Sequence, residues 1–195
     1  MRASKAVAAI GFRAHTGWAG AVAVTPQWQI IERRRITYEP EPTRFIYHHA
    51  SEIGPAAAEP LIEAARTQAV KMAQDKIEQL IAAIRGQGKT IVAAGVPGGN
   101  NRLPGSLGEI LAAHSRIHAA EGAFYRDALA NACRQIGLRV ARAPERDLWA
   151  IASRTCGLSS GELRSRLDAM GKEFGPPWAE DQKLAALAAV VALSD

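Results

Sequence analysis

Lys89–Gly137, KTIVAAGVPGGNNRLPGSLGEILAAHSRIHAAEGAFYRDALANACRQIG, constrains the fold more than any other stretch of the chain. Thr90–Val96 is a short, β-branched apolar run without alternation. That pattern suits a central parallel strand covered on both faces. Gly95–Asn101 is glycine-rich and joins that strand to a helix. It has neither the Lys-Ser/Thr of a phosphate loop nor the spacing of a dinucleotide fingerprint. Ser106 with Glu109 forms a capping box, which predicts a helix starting near Leu107 and running to Ile136, with Gly137 closing it. At about 100° per residue, Leu107, Ile110, Leu111, Ile117, Phe124, Tyr125, Ala128, Ala132 and Ile136 share one apolar stripe. His114, His118 and Glu121 fall inside it, whereas Arg116, Arg126, Asp127 and Arg134 fall on the opposite side. Polar groups on a covered face need partners. The expectation is therefore that His114 and Glu121 are buried and hydrogen-bonded.

The other segments supply what such a strand must be covered by. Ala6–Phe12 and Trp18–Thr25 read as strands around an Arg13–Gly17 turn, and Trp28–Tyr38 as an alternating, charged edge strand. Glu39–Thr43 is a proline-stiffened link and Arg44–His49 a short extended segment. A long helix follows, from Ala57 or Leu61 to Arg85. After the central strand and helix come a strand at Leu138–Ala143, a helix at Pro144–Thr155, a capped helix from Ser159 to Lys172, and a last apolar helix at Trp178–Leu193. A chain of 195 residues, 48% of them hydrophobic, is enough for a single domain with its own core. We read residues 1–195 as one domain, with 144–177 as a helical insertion before the last helix. The two cysteines, Cys133 and Cys156, make neither a disulfide framework nor a metal spacing, and no apolar run reaches membrane-spanning length. Cytoplasmic location is the expectation. A net charge of +5 permits a polyanionic partner without requiring one.

This order, three antiparallel strands followed by βα units on a mixed five-stranded sheet flanked by helices, resembles the ribonuclease H-like superfamily, an α/β class that includes Holliday-junction resolvases and actin-like ATPases. The C-terminal AEDQKLAALAAVVAL resembles the helix that closes the resolvase core. The stretches HSRIHAAEGAFYRDAL and GPPWAEDQKLAALAA also resemble a bacterial family within it, one whose activity is not established and which implies no function. The resemblance implies a site of clustered carboxylates holding two divalent metals. The chain departs from it. The first strand and the fourth carry no acid, and only Glu180 and Asp181 stand at the last position. The first hairpin puts Arg13 and His15 where charge is needed, a set able to cradle an anion without a metal. Magnesium-dependent nuclease chemistry is therefore not expected.

Spacings of four and three place His114, His118 and Glu121 on one helical face. Two imidazoles and a carboxylate suit a transition metal, but the 10 Å or so that separates the ends of such a triple favours a metal-free polar groove. The default reading, ahead of both, is a plain hydrogen-bonded core in which Glu121 accepts from one of the histidines. The candidate catalytic residues are thus His114, His118, Glu121 and Asp181. The candidate ligand contacts are Arg13, His15, His48 and Lys183, and an anion between the Arg13–Gly17 turn and the histidine face is the expected ligand. No metal and no cofactor is specified. Two functions fit: an enzyme (a hydrolase) processing a phosphate ester or nucleic acid through a non-standard His/Glu/Asp site, or a non-catalytic nucleic-acid or nucleotide binding module that has lost the superfamily's carboxylates. A homodimer through the small residues Ala119–Ala123 is a further possibility.

Overall fold

The structure is a computed structural model that describes residues 6–40, 44–100, 102–103 and 105–194. Five strands form one sheet: β1 Ala6–His15, β2 Trp18–Val24, β3 Ile30–Thr37, β4 Lys89–Gly95 and β5 Arg139–Ala141. Their order is β3-β2-β1-β4-β5. The first three are antiparallel neighbours, and β1, β4 and β5 run parallel. β4 is thus interior and beside β1, as its continuous apolar run predicts, and the charged β3 is at the edge. The first hairpin is tighter than expected. Arg13 and His15 remain in the strand, paired with Gly20 and Trp18, and the turn is only Thr16-Gly17, with Gly17 at φ +80°.

One face of the sheet is covered by α1 Ile46–Ile53, α2 Pro55–Gly86 and α4 His114–Gln135. The other is covered by α5 Leu148–Cys156, α6 Ser160–Phe174 and α7 Glu180–Ser194. Period-2 alternation sorts the strands between the two cores. Ala8, Ile10 and Phe12 face the first, and Ala9, Val22 and Ala93 face the second. α7 lies unusually close to the strands. A Cβ on Gly11 would overlap the Ala185 carbonyl, and one on Gly95 the Ala188 carbonyl. Glycine on the strands and alanine on the helix therefore make one complementary surface.

Three local expectations change. Arg44–His49 is not extended, because residues from Ile46 onward form α1. Its own N-cap, Phe45, supplies no side-chain bond. The cap comes instead from Glu121, whose Oε1 accepts the backbone N–H groups of Tyr47 (2.7 Å) and His48 (3.2 Å). The predicted continuous helix from Leu107 is broken into α3, Leu107–Leu111, and α4, with Ala113 extended at φ −144°, ψ 126°. The Ser106–Glu109 cap is formed. The break lies at Ala112-Ala113, where local propensity favours helix, so tertiary packing imposes it. Pro144 precedes a single 3₁₀ turn, Glu145–Asp147, before α5 begins. Residues 41–43 of the proline link and Asn101 of the glycine-rich loop lie outside the described residues.

The segment before α7 is fastened to the edge strand. Arg33 donates to the carbonyls of Gly175 (2.9 Å), Pro176 (2.9 Å) and Pro177. Trp178 donates through Nε1 to Leu167 O at 2.8 Å, with its ring lying where a Cβ on Gly171 would be. These contacts fix where α7 starts, and hence where Asp181 points. No helix among the described residues is long and apolar enough to cross a membrane.

Candidate functional site

The first polar cluster forms where β1 ends against the start of α7. Arg13 donates through Nη1 to Asp181 Oδ1 and through Nη2 to Glu145 Oε1 at 3.2 Å. His15 Nε2 lies 3.1 Å from the same Asp181 oxygen, and its ring stacks on Trp18 at 4.1 Å. Arg35 covers Trp18, its guanidinium carbon 3.8 Å from the ring centre. Burial alone would raise the Asp181 carboxyl, but the bonds and charges of Arg13 and His15 together outweigh it and hold it below the usual carboxylate range. Lys183 takes no part, because its Nζ pairs with Asp168 of α6 at 2.7 Å.

The two-metal site implied by the sequence resemblance does not fit these residues. The Arg13 guanidinium itself bridges Asp181 and Glu145, so a fixed organic cation stands between the carboxylates. Beside β1, the parallel strand β4 ends in Ala93, Ala94 and Gly95, and offers no acid. No step through magnesium can be built on this donor set.

The second cluster lies where α1 meets α4. His114 and His118 are exposed, against the expectation of burial for His114, whereas Glu121 is 2% exposed. The break before α4 is the reason. It puts His114 at the open end of α4, and the buried face of that helix runs instead through Ile117, Ala120, Glu121, Phe124 and Tyr125. Glu121 pairs with neither of them. Its Oε1 lies 3.3 Å from Nδ1 of His48, alongside the two backbone N–H groups it accepts. Its Oε2 is buried and, among the described residues, has no hydrogen-bond partner. Burial pushes the Glu121 carboxyl up, and the bonds from His48 and Tyr47 only partly offset it. The three imidazoles of His48, His114 and His118 converge, with one ring nitrogen of each within 4.8 Å of the others. The two Nε2 atoms of His114 and His118 are 2.9 Å apart. Local desolvation, then repulsion from His114 and His48, lowers the His118 pKa. His49 stands apart, 3.3 Å from Glu52.

A groove of about 440 Å³ has one residue of each cluster, Glu145 and His118, in its lining. The Gly98–Asn100 loop after β4 and Ala119, Gly122 and Ala123 of α4 also line it. Arg126 and Arg142 line it. Arg142 is paired with Asp127 at 2.6 Å. Arg126 is different: its Nε is buried without a partner among the described residues. Its guanidinium lies over two glycines, within 2.8 Å of where a Cβ on Gly99 would stand and 2.9 Å of one on Gly122. Burial, then Arg142, lowers the Arg126 pKa against the opposing pull of Asp127 and Glu145.

The sequence-predicted residues therefore separate. Arg13, His15 and Asp181 meet in one place; His48, His114, His118 and Glu121 meet in another; Lys183 joins neither. The sequence reading missed Arg126, which it placed on the outward side, and also Glu145 and Arg142. The available signal was Gly122 four residues before Arg126, the helical spacing that lets an arginine fold back over a glycine. The same glycine, read in the sequence as part of a dimer surface, makes room for Arg126.

No protein-family model matches the chain, and no curated protein matches it. Solved structures do. Thermus thermophilus RuvC in complex with Holliday junction substrate matches over 95% of this chain and 91% of that one, with a TM-score of 0.55 and 9% identity. A second Thermus thermophilus RuvC structure matches over the same shares, with a TM-score of 0.50 and 9% identity. A sheet of this order, with helices on both faces and α7 closing over β1 and β4, is the ribonuclease H-like fold, and the chain has it.

Proposed function

We propose that the protein binds the phosphate backbone of a nucleic acid in the Arg126 groove and does not cut it by two-metal chemistry. One observation carries the reading. Arg126 is a half-buried cation whose Nε has no partner among the described residues, held over Gly99 of the loop after the central strand and Gly122 of α4. Asp127 and Glu145 only partly offset the burial of this guanidinium, and a phosphate oxygen accepting from the part of it that lines the groove would add to that compensation. The carboxyl end of the strands is where open α/β sheets receive ligands. The net charge of +5 permits a polyanionic partner, and one of the similar solved structures is of a protein in complex with Holliday junction substrate. The Arg13 bridge, occupying the carboxylates, supports binding over metal-dependent cleavage.

The test is fluorescence anisotropy with duplex, hybrid and four-way-junction DNA at several salt concentrations. Arg126→Ala should weaken binding to all sequences alike and reduce the salt slope by about 1. Unchanged affinity and slope would sink the reading.

A second reading is favoured by one contact. His118 lines the same groove, so a bound phosphate ester would lie within reach of an imidazole able to act as acid or base. Turnover of a phosphodiester lost in His118→Gln, with binding kept, would establish it over the binding-only reading.

A further inference from the structure

We propose that His48, His114 and His118 form a mononuclear transition-metal site of the zinc class, with Glu121 as the carboxylate that orients it. This does not rest on the phosphate reading. His114 and His118 stand one helical turn apart on α4, the spacing at which two imidazoles can reach one ion. The third comes from α1, brought there by packing rather than by sequence proximity. One nitrogen from each ring already lies within 4.8 Å of the other two. Zinc–nitrogen bonds of about 2.0–2.1 Å require ligand nitrogens a little over 3 Å apart. The His114–His118 pair, at 2.9 Å, would open by a few tenths of an ångström, and His48 would move inward.

That 2.9 Å contact is itself informative. Two neutral imidazole nitrogens at this distance need one proton between them, and two exposed rings have water as an alternative partner. A shared cation explains why both point inward instead. The orientation of His48 agrees. Its Nδ1 is directed at Glu121 Oε1 at 3.3 Å, which leaves Nε2 as the nitrogen for the metal. A histidine donating one ring N–H to a carboxylate while the other nitrogen binds the ion is the usual outer arrangement of such sites. Glu121 is well fixed for this role, because the same oxygen accepts two backbone N–H groups of α1. Its buried Oε2 lacks a partner among the described residues, so the carboxylate carries charge that its hydrogen bonds do not fully use. A dication beyond His48 would be complementary to it.

The ligand set selects the class. Three imidazoles with an outer carboxylate suit zinc, or cobalt, nickel and copper, and are poor for magnesium or calcium, which take oxygen. Three protein ligands also leave a fourth position of a tetrahedral ion open to water.

The test uses the full chain with cobalt(II) and zinc(II) as probes. After loading and dialysis against metal-free buffer, the protein should keep one zinc per chain. Its cobalt form should show the visible absorption of a four- or five-coordinate ion. His118→Ala replaces an exposed residue and should remain folded by circular dichroism while losing both signals. His48→Gln should lose them too. Glu121→Gln keeps an acceptor for α1 and should weaken zinc binding about 10- to 100-fold. His49→Ala, which removes a neighbouring half-buried histidine outside the cluster, should change nothing. Retention of less than one zinc by the parent chain, an octahedral-type cobalt spectrum, or retention unaltered by His118→Ala would each overturn the proposal.

Discussion

Glu121 shows how one side chain can join two elements. It is on α4, yet it ends α1 by accepting from the first-turn N–H groups of Tyr47 and His48. Those donors have no partner within their own helix, and the positive end of the helix dipole favours a carboxylate there. Glu121→Ala should cost about 1–3 kcal/mol in urea unfolding, because it strands buried donors. His118→Ala, at an exposed position, should stay within about 0.5 kcal/mol of the parent. Equal effects would refute the cap. Asp181 and Glu121 should also give opposite pH slopes. Asp181 sits below the ordinary carboxylate value, so the unfolded chain takes up its proton first as pH falls. Its contribution is complete above the ordinary value and is lost as pH drops through its own lower value. Glu121 sits above the ordinary value, so its contribution is complete below that value and declines as pH rises toward its own. Asp181→Asn should therefore flatten the acid limb of a stability–pH profile. An unchanged limb would show that the Arg13–Asp181 pair adds nothing.

At the scale of elements, α7 is decisive. Its alanines bring its backbone against β1 and β4, and only glycine fits beneath at positions 11 and 95. Gly95→Ala would push a methyl group into the Ala188 carbonyl. Overpacking of this kind costs about 1–3 kcal/mol, and more where backbone rather than side chain must yield. The melting temperature should fall, and because α7 carries Asp181, the Arg13 and His15 contacts should loosen with it. Gly86→Ala is the control: nothing lies within 4 Å of its added Cβ. If the two variants melt alike, α7 is not seated as described.

For the whole molecule, the fold and the chemistry point in different directions. The sheet has the ribonuclease H-like order, and its C-terminal helix closes over β1 and β4 with Asp181 in its first turn. The cation at that place, however, is Arg13. We expect no magnesium-dependent cleavage of branched, duplex or hybrid nucleic acid at ordinary rates. Efficient cleavage abolished by Asp181→Asn would contradict this. Zinc should instead raise the melting temperature of the parent chain, and magnesium should not, since only species that bind the folded state stabilise it.

The amino-acid sequence by itself determined the sheet. The strands themselves and the central place of β4 follow from the period of apolar residues and the positions of glycine and capping residues, all short-range physics written along the chain, while the sheet order comes from the superfamily resemblance. It also determined that His114 and His118 share a face, because helical spacing is local. It misled at Arg44–His49, where propensity favoured an extended segment but the cap on α1 comes from Glu121, 73 residues away from His48. It misled again at Leu107–Ile136, where nothing local marks the break at Ala113. Only the tertiary structure decided that His48 completes the histidine cluster, that Arg13 takes the carboxylates, and that Arg126 turns inward over Gly99 and Gly122. Each of these depends on which elements touch. Charge pairing and burial are set by neighbours in space, and those neighbours lie on different elements of the sequence.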